Sequence, residues 1–192
     1  MEINEQNMET LRNPNPEVVV ALNVGSTKVS AFVGRKNILG KVELLGHGVA
    51  FCEGVSKGIV SNIDKTSKAI NDAIDLAEKR SKQEITTVFV GIAGDHIRSL
   101  HHQGVMFRDQ PKSEISQDDI DKLMMDMHKI ALPHGDKILH VVPQEFYIDN
   151  GKEGHLDPIG MSGARLESNF HIITANSEAL DNLFRAVEKS QL

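Results

Sequence analysis

The residues after a small glycine–hydroxyl–lysine cluster near the start of this chain limit its fold more than any other feature. Residues 21–34 read ALNVGSTKVSAFVG, with Gly25-Ser26-Thr27-Lys28 between two apolar runs. A Walker A loop has the order GxxxxGK[ST] and opens a helix, whose first amides hold the phosphates. Here the order differs, and Val29, Ala31 and Val33 alternate as in a strand. The dinucleotide fingerprint GxGxxG fails too, because Gly25 stands alone before the next strand. The segment is therefore a strand–turn–strand whose turn supplies backbone N–H groups, two hydroxyls and one ammonium. Such a turn can hold an anion through main-chain amides, and glycine lets the backbone approach closely. The same composition also suits a plain hairpin.

The patterns around it are mixed. EVVVALNV (17–24), KVSAFVG (28–34) and GKVELLGHGVAF (40–51) predict a three-stranded meander, with Gly46 and Gly48 marking a bulge or a close approach of another backbone. Ile63, Ile70, Ile74 and Ala77 recur at helical spacing, which predicts a helix over about 63–82 capped by Ser61 or Asn62. Strands are expected at 86–94 and 96–107. A capping box at Ser116 and Asp119 then opens a helix with Ile120, Leu123, Met124, Met127 and Ile130 on its apolar face, ended by Pro133. A strand over 136–149 is interrupted at Pro143, residues 151–163 form a loop, and 164–176 is the last strand. Ser177 is the expected N-cap of a closing helix with Leu180, Leu183, Phe184 and Val187 on one face. Residues 1–16 are polar, end in two prolines, and read as a disordered tail. Leu192 falls within helical material with no stop signal, so the natural protein is expected to continue.

Composition removes several functions. The net charge of −6 argues against a nucleic-acid groove or an anionic membrane surface as the main partner. Aromatic residues make up 4% of the chain, with no Trp, so base-stacking platforms are not expected. Cys52 is the single cysteine, excludes an internal disulfide, suits a reducing compartment, and reads as a buried thiol. No apolar run approaches the length of a membrane span, and no secretory signal is expected. His96, His101 and His102 lack a carboxylate or cysteine at ligand spacing, so no metal site is expected. Met124, Met125 and Met127 read as core filler. Glu145 and Glu167 form no paired-acid or Ser/His/Asp arrangement, so no catalytic residue is assigned.

Order and motifs together give a resemblance. A meander, helix, inserted α+β segment, strand and helix is the first half of the actin/Hsp70/sugar-kinase ATPase fold, whose first hairpin is a phosphate loop of the form DxGTTK or DxGSTK. NVGSTK (23–28) resembles it. Beyond the hairpin, GIVSNIDKTSKAINDAIDLAE, VGIAGDHIRSLHHQG, EISQDDIDKL, ILHVVPQEFYID and DPIGMSGARLESNFHIIT resemble one branch, the bacterial cell-division FtsA family. The resemblance covers about residues 17–192, and DPIGMSGARLE (157–167) is its most specific part.

The resemblance implies an α/β fold: an actin-like (ribonuclease H-like) subdomain 1A at 17–84 and 168–192, with an inserted α+β subdomain 1C at 85–167, and a second lobe outside this chain. It implies ATP with Mg²⁺ as the cofactor of the full-length protein, with Asn23, Gly25, Ser26, Thr27 and Lys28 as its binding residues here. Asn23 departs from the family's aspartate, which removes a charge that would hold Mg²⁺ or its waters. The family's second phosphate loop and adenosine pocket lie in the other lobe, so these 192 residues alone are expected to bind ATP poorly or not at all. The implied role is a cytoskeletal, weakly or non-enzymatic protein on the cytoplasmic face of the inner membrane at the division site. Its implied partners are FtsZ, later divisome proteins and itself, and a C-terminal helix absent here would reach the membrane. The alternatives are a small-molecule kinase of the same fold and a pilus-assembly or cell-shape actin relative.

Overall fold

The computed structural model describes residues 18–192, so the tail expected at 1–16 lies outside the described residues. The contacts divide the described residues into two compact units, 18–96 with 179–192, and 97–178.

In the first unit β1 (Val18–Val24) and β2 (Lys28–Lys36) alternate as the sequence predicts. Val20, Leu22 and Val24 point into the core beside Val29, Ala31 and Val33, whereas Asn23 and Phe32 face outward. β3 (Val42–Phe51) extends the meander, and β6 (Phe89–Gly91) joins β1 in parallel, giving the sheet order β3-β2-β1-β6. A parallel partner requires a crossover, and α1 (Ile63–Ser81) supplies it. Asn62 caps α1 by accepting the Lys65 amide at 2.9 Å, and Lys82 ends it in the left-handed region at φ 57°. Ala69, Ala73 and Ala77 form a narrow stripe on α1 that lets the helix come close to β3. A Cβ on Gly48 would lie 1.8 Å from the Ala73 carbonyl oxygen, so the two central glycines of β3 serve close approach. The core is closed by Leu183, Ala186 and Val187 of α3 (Ser177–Glu188) and by the buried Cys52. Each fully buried Val, Leu or Ile there contributes roughly 1.5–3 kcal/mol.

Between β3 and α1 the chain makes a small hairpin, β4 (Val55–Ser56) and β5 (Ile59–Val60), that the sequence patterns do not announce.

The second unit is an antiparallel sheet in the order β7-β9-β8, built from β7 (Ile97–Phe107), β8 (Asp136–Ile148) and β9 (Arg165–Asn176). Phe170, Leu166 and Ile172 on the central strand pack with Ile120, Leu123 and Met127 of α2 (Gln117–Met127). The register of β8 slips at Ile138/His140 and again at Pro143/Phe146, where the proline is expected to interrupt it.

Several expectations differ from the structure. The strand expected over 86–94 shrinks to Phe89–Gly91. All of β9 pairs with β7 and β8, so the second compact unit runs over 97–178, against the 85–167 expected for the insert. β9 passes directly into α3, making Ser177 its first residue. Phe184 and Met125 are more than half exposed, because each lies off the buried stripe of its helix.

Candidate functional site

The β1–β2 turn is set by its flanking ladder, which ends in the Val24–Val29 pair. The Gly25 amide donates to the Lys28 carbonyl at 3.0 Å. A Cβ on Gly25 would sit 3.1 Å from that same oxygen, a tight approach that glycine relieves, with no positive φ involved. Two bonds from outside hold the turn. The Cys52 amide donates to the Thr27 carbonyl at 3.0 Å, and the Gly58 amide donates to Ser26 Oγ at 3.2 Å.

These bonds leave the donors free. Ser26, Thr27 and Lys28 are exposed, and the amides of Ser26 and Thr27 have no hydrogen-bond acceptor among the described residues. The Lys28 ammonium has no ion-pair partner there either. Unbonded amides, a hydroxyl and an ammonium on exposed residues of one turn form a concentrated positive edge, which is the chemistry an anion requires. Asn23 lies on the outward face of β1, opposite Ser30 on β2 and Gly91 on β6. It shares that face with no carboxylate from the hairpin. The five residues singled out from the sequence thus sit on one hairpin, with Asn23 two positions before the turn.

The structure brings together other groups that the sequence did not pair. His101 and His171 stand opposite each other on β7 and β9, with Nδ1 of His171 3.2 Å from Nε2 of His101. His96 precedes β7 and is buried, and its Nδ1 has no hydrogen-bond partner among the described residues. Among the described residues, no group of three or more His, Cys, Asp or Glu is placed to hold a metal ion. Glu167 is buried on the polar face of the second sheet, bonded by Gln103 at 3.2 Å and Arg165 at 3.0 Å.

The 157–165 stretch is a structural junction. Arg108, with a side chain only 4% exposed, donates to Asp119 and to the carbonyls of Ser113, Glu114 and Gly163. Asp149 accepts the Ala164 and Arg165 amides at 2.8 Å each. Burial pushes the Asp119 carboxyl up, but the Ser116 amide and the Arg108 charge outweigh it and hold it below the usual aspartate range. Arg108 and Asp149 escape a sequence reading because their partners lie up to 55 residues away.

A sequence profile of the SHS2 domain inserted in FTSA matches residues 94–174. The cell division protein FtsA of Pseudomonas aeruginosa is 37% identical over 177 residues, which is 92% of this chain and 42% of that protein. FtsA of Neisseria meningitidis serogroup B is 40% identical over 175 residues, 91% of this chain and 41% of that protein. FtsA of Escherichia coli K12 is 31% identical over 92% of this chain and 41% of that protein. Among solved structures, a chain of the PilM–PilN type IV pilus biogenesis complex superposes with a TM-score of 0.60 at 11% identity, covering 93% of this chain and 46% of that one. That likeness shows the fold alone, the actin-like α/β architecture. The chain spans about two-fifths of the length of the curated relatives it matches. The chain carries a match to the SHS2 domain inserted in FTSA at residues 94–174, and over about nine-tenths of its length it is similar to cell division proteins named FtsA.

Proposed function

We propose that this chain is the N-terminal part of an actin-like, ATP-binding protein of bacterial cell division. The observation that carries the reading is identity of 31–40% to cell division proteins named FtsA over about nine-tenths of the chain. In this reading the first compact unit is subdomain 1A and the second is the inserted subdomain 1C. The 25–28 hairpin binds the phosphates of ATP through the Ser26 and Thr27 amides, the hydroxyls and Lys28. Mg²⁺ sits near Asn23, which offers a neutral carbonyl oxygen and so holds the ion through waters more weakly than a carboxylate would. The hairpin touches one side of a nucleotide, and the remaining contacts come from the part of the relatives that this chain does not span. The protein assembles on the cytoplasmic face of the inner membrane, attached by a segment outside this chain. Among the described residues no helix is long and apolar enough to cross a membrane. There it anchors FtsZ and recruits later division proteins, with the 1C unit used for self-association.

The test is to label the full-length natural protein at its own locus and image it beside labelled FtsZ. Bands that coincide at mid-cell, with filamentation on depletion, are the expected result. A diffuse or polar signal with normal division would overturn the division role. Calorimetry supplies the second arm: Mg·ATP binds the full-length protein, and the isolated 192 residues bind it weakly or not at all.

A further inference from the structure

The phosphate hairpin has an unannounced neighbour. β4 and β5 are joined by a two-residue turn, Lys57 at φ 51° and Gly58 at φ 81°. Positive φ at both central positions is the type I′ geometry that Asn, Asp and Gly favour. Lysine holds it only against the steric preference of an L side chain, and such departures gather at functional positions.

The turn is pinned on two sides. The Gly58 amide donates to Ser26 Oγ at 3.2 Å. A Cβ on Gly58 would lie 2.0 Å from the Ala93 carbonyl oxygen, and one on Gly94 would lie 2.7 Å from the Lys57 carbonyl oxygen. Lys57 is therefore held beside the hairpin by packed backbone, yet its side chain is exposed and its ammonium has no partner among the described residues. The Gly58 bond also sets the Ser26 hydroxyl: its oxygen accepts from Gly58, so its O–H is free to donate outward. Residues 23–28 contain no carboxylate, so one ammonium at Lys28 faces a phosphate chain of several negative charges.

We propose that Lys57 is a second phosphate-binding cation, which brackets with Lys28 the di- or triphosphate held by the Ser26 and Thr27 amides. This rests on the reading of the 25–28 hairpin as a phosphate site. The tie from Gly58 to Ser26 makes the β4–β5 turn part of the site's wall, and an exposed lysine stem on that turn is long enough to bring its charge to the rim.

The experiment titrates Mg·ATP by calorimetry into the full-length natural protein that carries this sequence, as wild type, Lys57→Asn, Lys57→Arg and Lys28→Gln. Asparagine suits the left-handed region, so Lys57→Asn keeps or raises the melting temperature of the unliganded protein. Its affinity for ATP falls about tenfold, with a shallower dependence on salt, as loss of a charge-assisted contact requires. Lys57→Arg retains the charge and stays within about threefold of wild type. If Lys57→Asn binds like wild type while Lys28→Gln is weakened, the role of Lys57 is overturned and the hairpin reading stands. If wild type itself binds no Mg·ATP, or Lys28→Gln also leaves binding unchanged, both fall.

Discussion

The 25–28 hairpin and the 157–165 loop are both rich in glycine and small residues, and they treat their backbone amides in opposite ways. In the hairpin the amides of the exposed Ser26 and Thr27 have no acceptor among the described residues. In the loop the Ile159 amide bonds Asp157, the Gly160 amide bonds the Ile115 carbonyl, and the Ala164 and Arg165 amides share Asp149. Glycine content therefore does not separate a ligand site from a structural junction. The number of unbonded amides on exposed residues sets the two apart, and water satisfies those of the hairpin where no ligand does. The comparison predicts that substitutions in the loop act on stability and those in the hairpin act on binding.

Arg108 is where the largest loss is expected. Its guanidinium is almost fully buried and joins the β7 end, the 113–116 turn, α2 and Gly163. Arg108→Leu strands Asp119 and several carbonyls, and the cost is about 3–5 kcal/mol, as for removal of one partner of a buried pair. Chemical denaturation measures it, and hydrogen exchange localises the loss to 109–119 and 157–165. The pH dependence gives a second check. Asp119 has a folded-state pKa below its unfolded value, so its contribution is present above the ordinary aspartate range and is lost as pH falls through the depressed value. Removing Arg108 raises the folded value, and the acid loss attributable to Asp119 becomes smaller than in wild type. An unchanged acid transition together with an unchanged denaturation midpoint would refute the junction.

What could be seen in the sequence tracks the range of the interactions. β1, β2 and α1 were legible because alternation and the 3.6-residue stripe are local: Val29-Ala31-Val33 and Ile70-Ile74-Ala77 each carry their own pattern. The hairpin residues 23–28 were legible for the same reason, since the turn and both flanking strands are contiguous. The end of the second unit was not. β9 is a continuous ladder partner for β7 and β8, and nothing in ARLESNFHIITAN marks where its pairing stops. β4 and β5 have only two residues each, too few for any period, and their turn has Lys where Asn-Gly would have signalled it. Gly58 reaches Ser26 across 32 positions, so its place beside the hairpin needed the fold.

A smaller loss is expected at Asp149. It occupies the left-handed region at φ 49°, which aspartate tolerates better than alanine, and one carboxylate oxygen takes two amides. Asp149→Ala removes both charge-assisted bonds and costs about 2 kcal/mol. Asp149→Asn, which keeps one acceptor and the backbone preference, recovers much of it. Equal denaturation midpoints for the alanine variant and wild type would mean that the loop does not depend on its internal acceptor, and the contrast with the hairpin would weaken.

Ser26→Ala is the sharpest probe of the other side. The bond it removes is long, at 3.2 Å, and the hydroxyl is exposed, so water replaces it at Gly58. The stability change is under about 1 kcal/mol, the size of an ordinary hydrogen bond exchanged with solvent. The affinity of the full-length protein for Mg·ATP falls by more than that, because one outward donor is lost and the β4–β5 turn loses its tie to the site. Denaturation and calorimetry on the same preparation compare the two effects directly. A stability loss as large as that of Asp149→Ala, with ATP affinity untouched, would place the hairpin among the self-satisfied loops and remove the physical distinction on which its proposed role as a phosphate site depends.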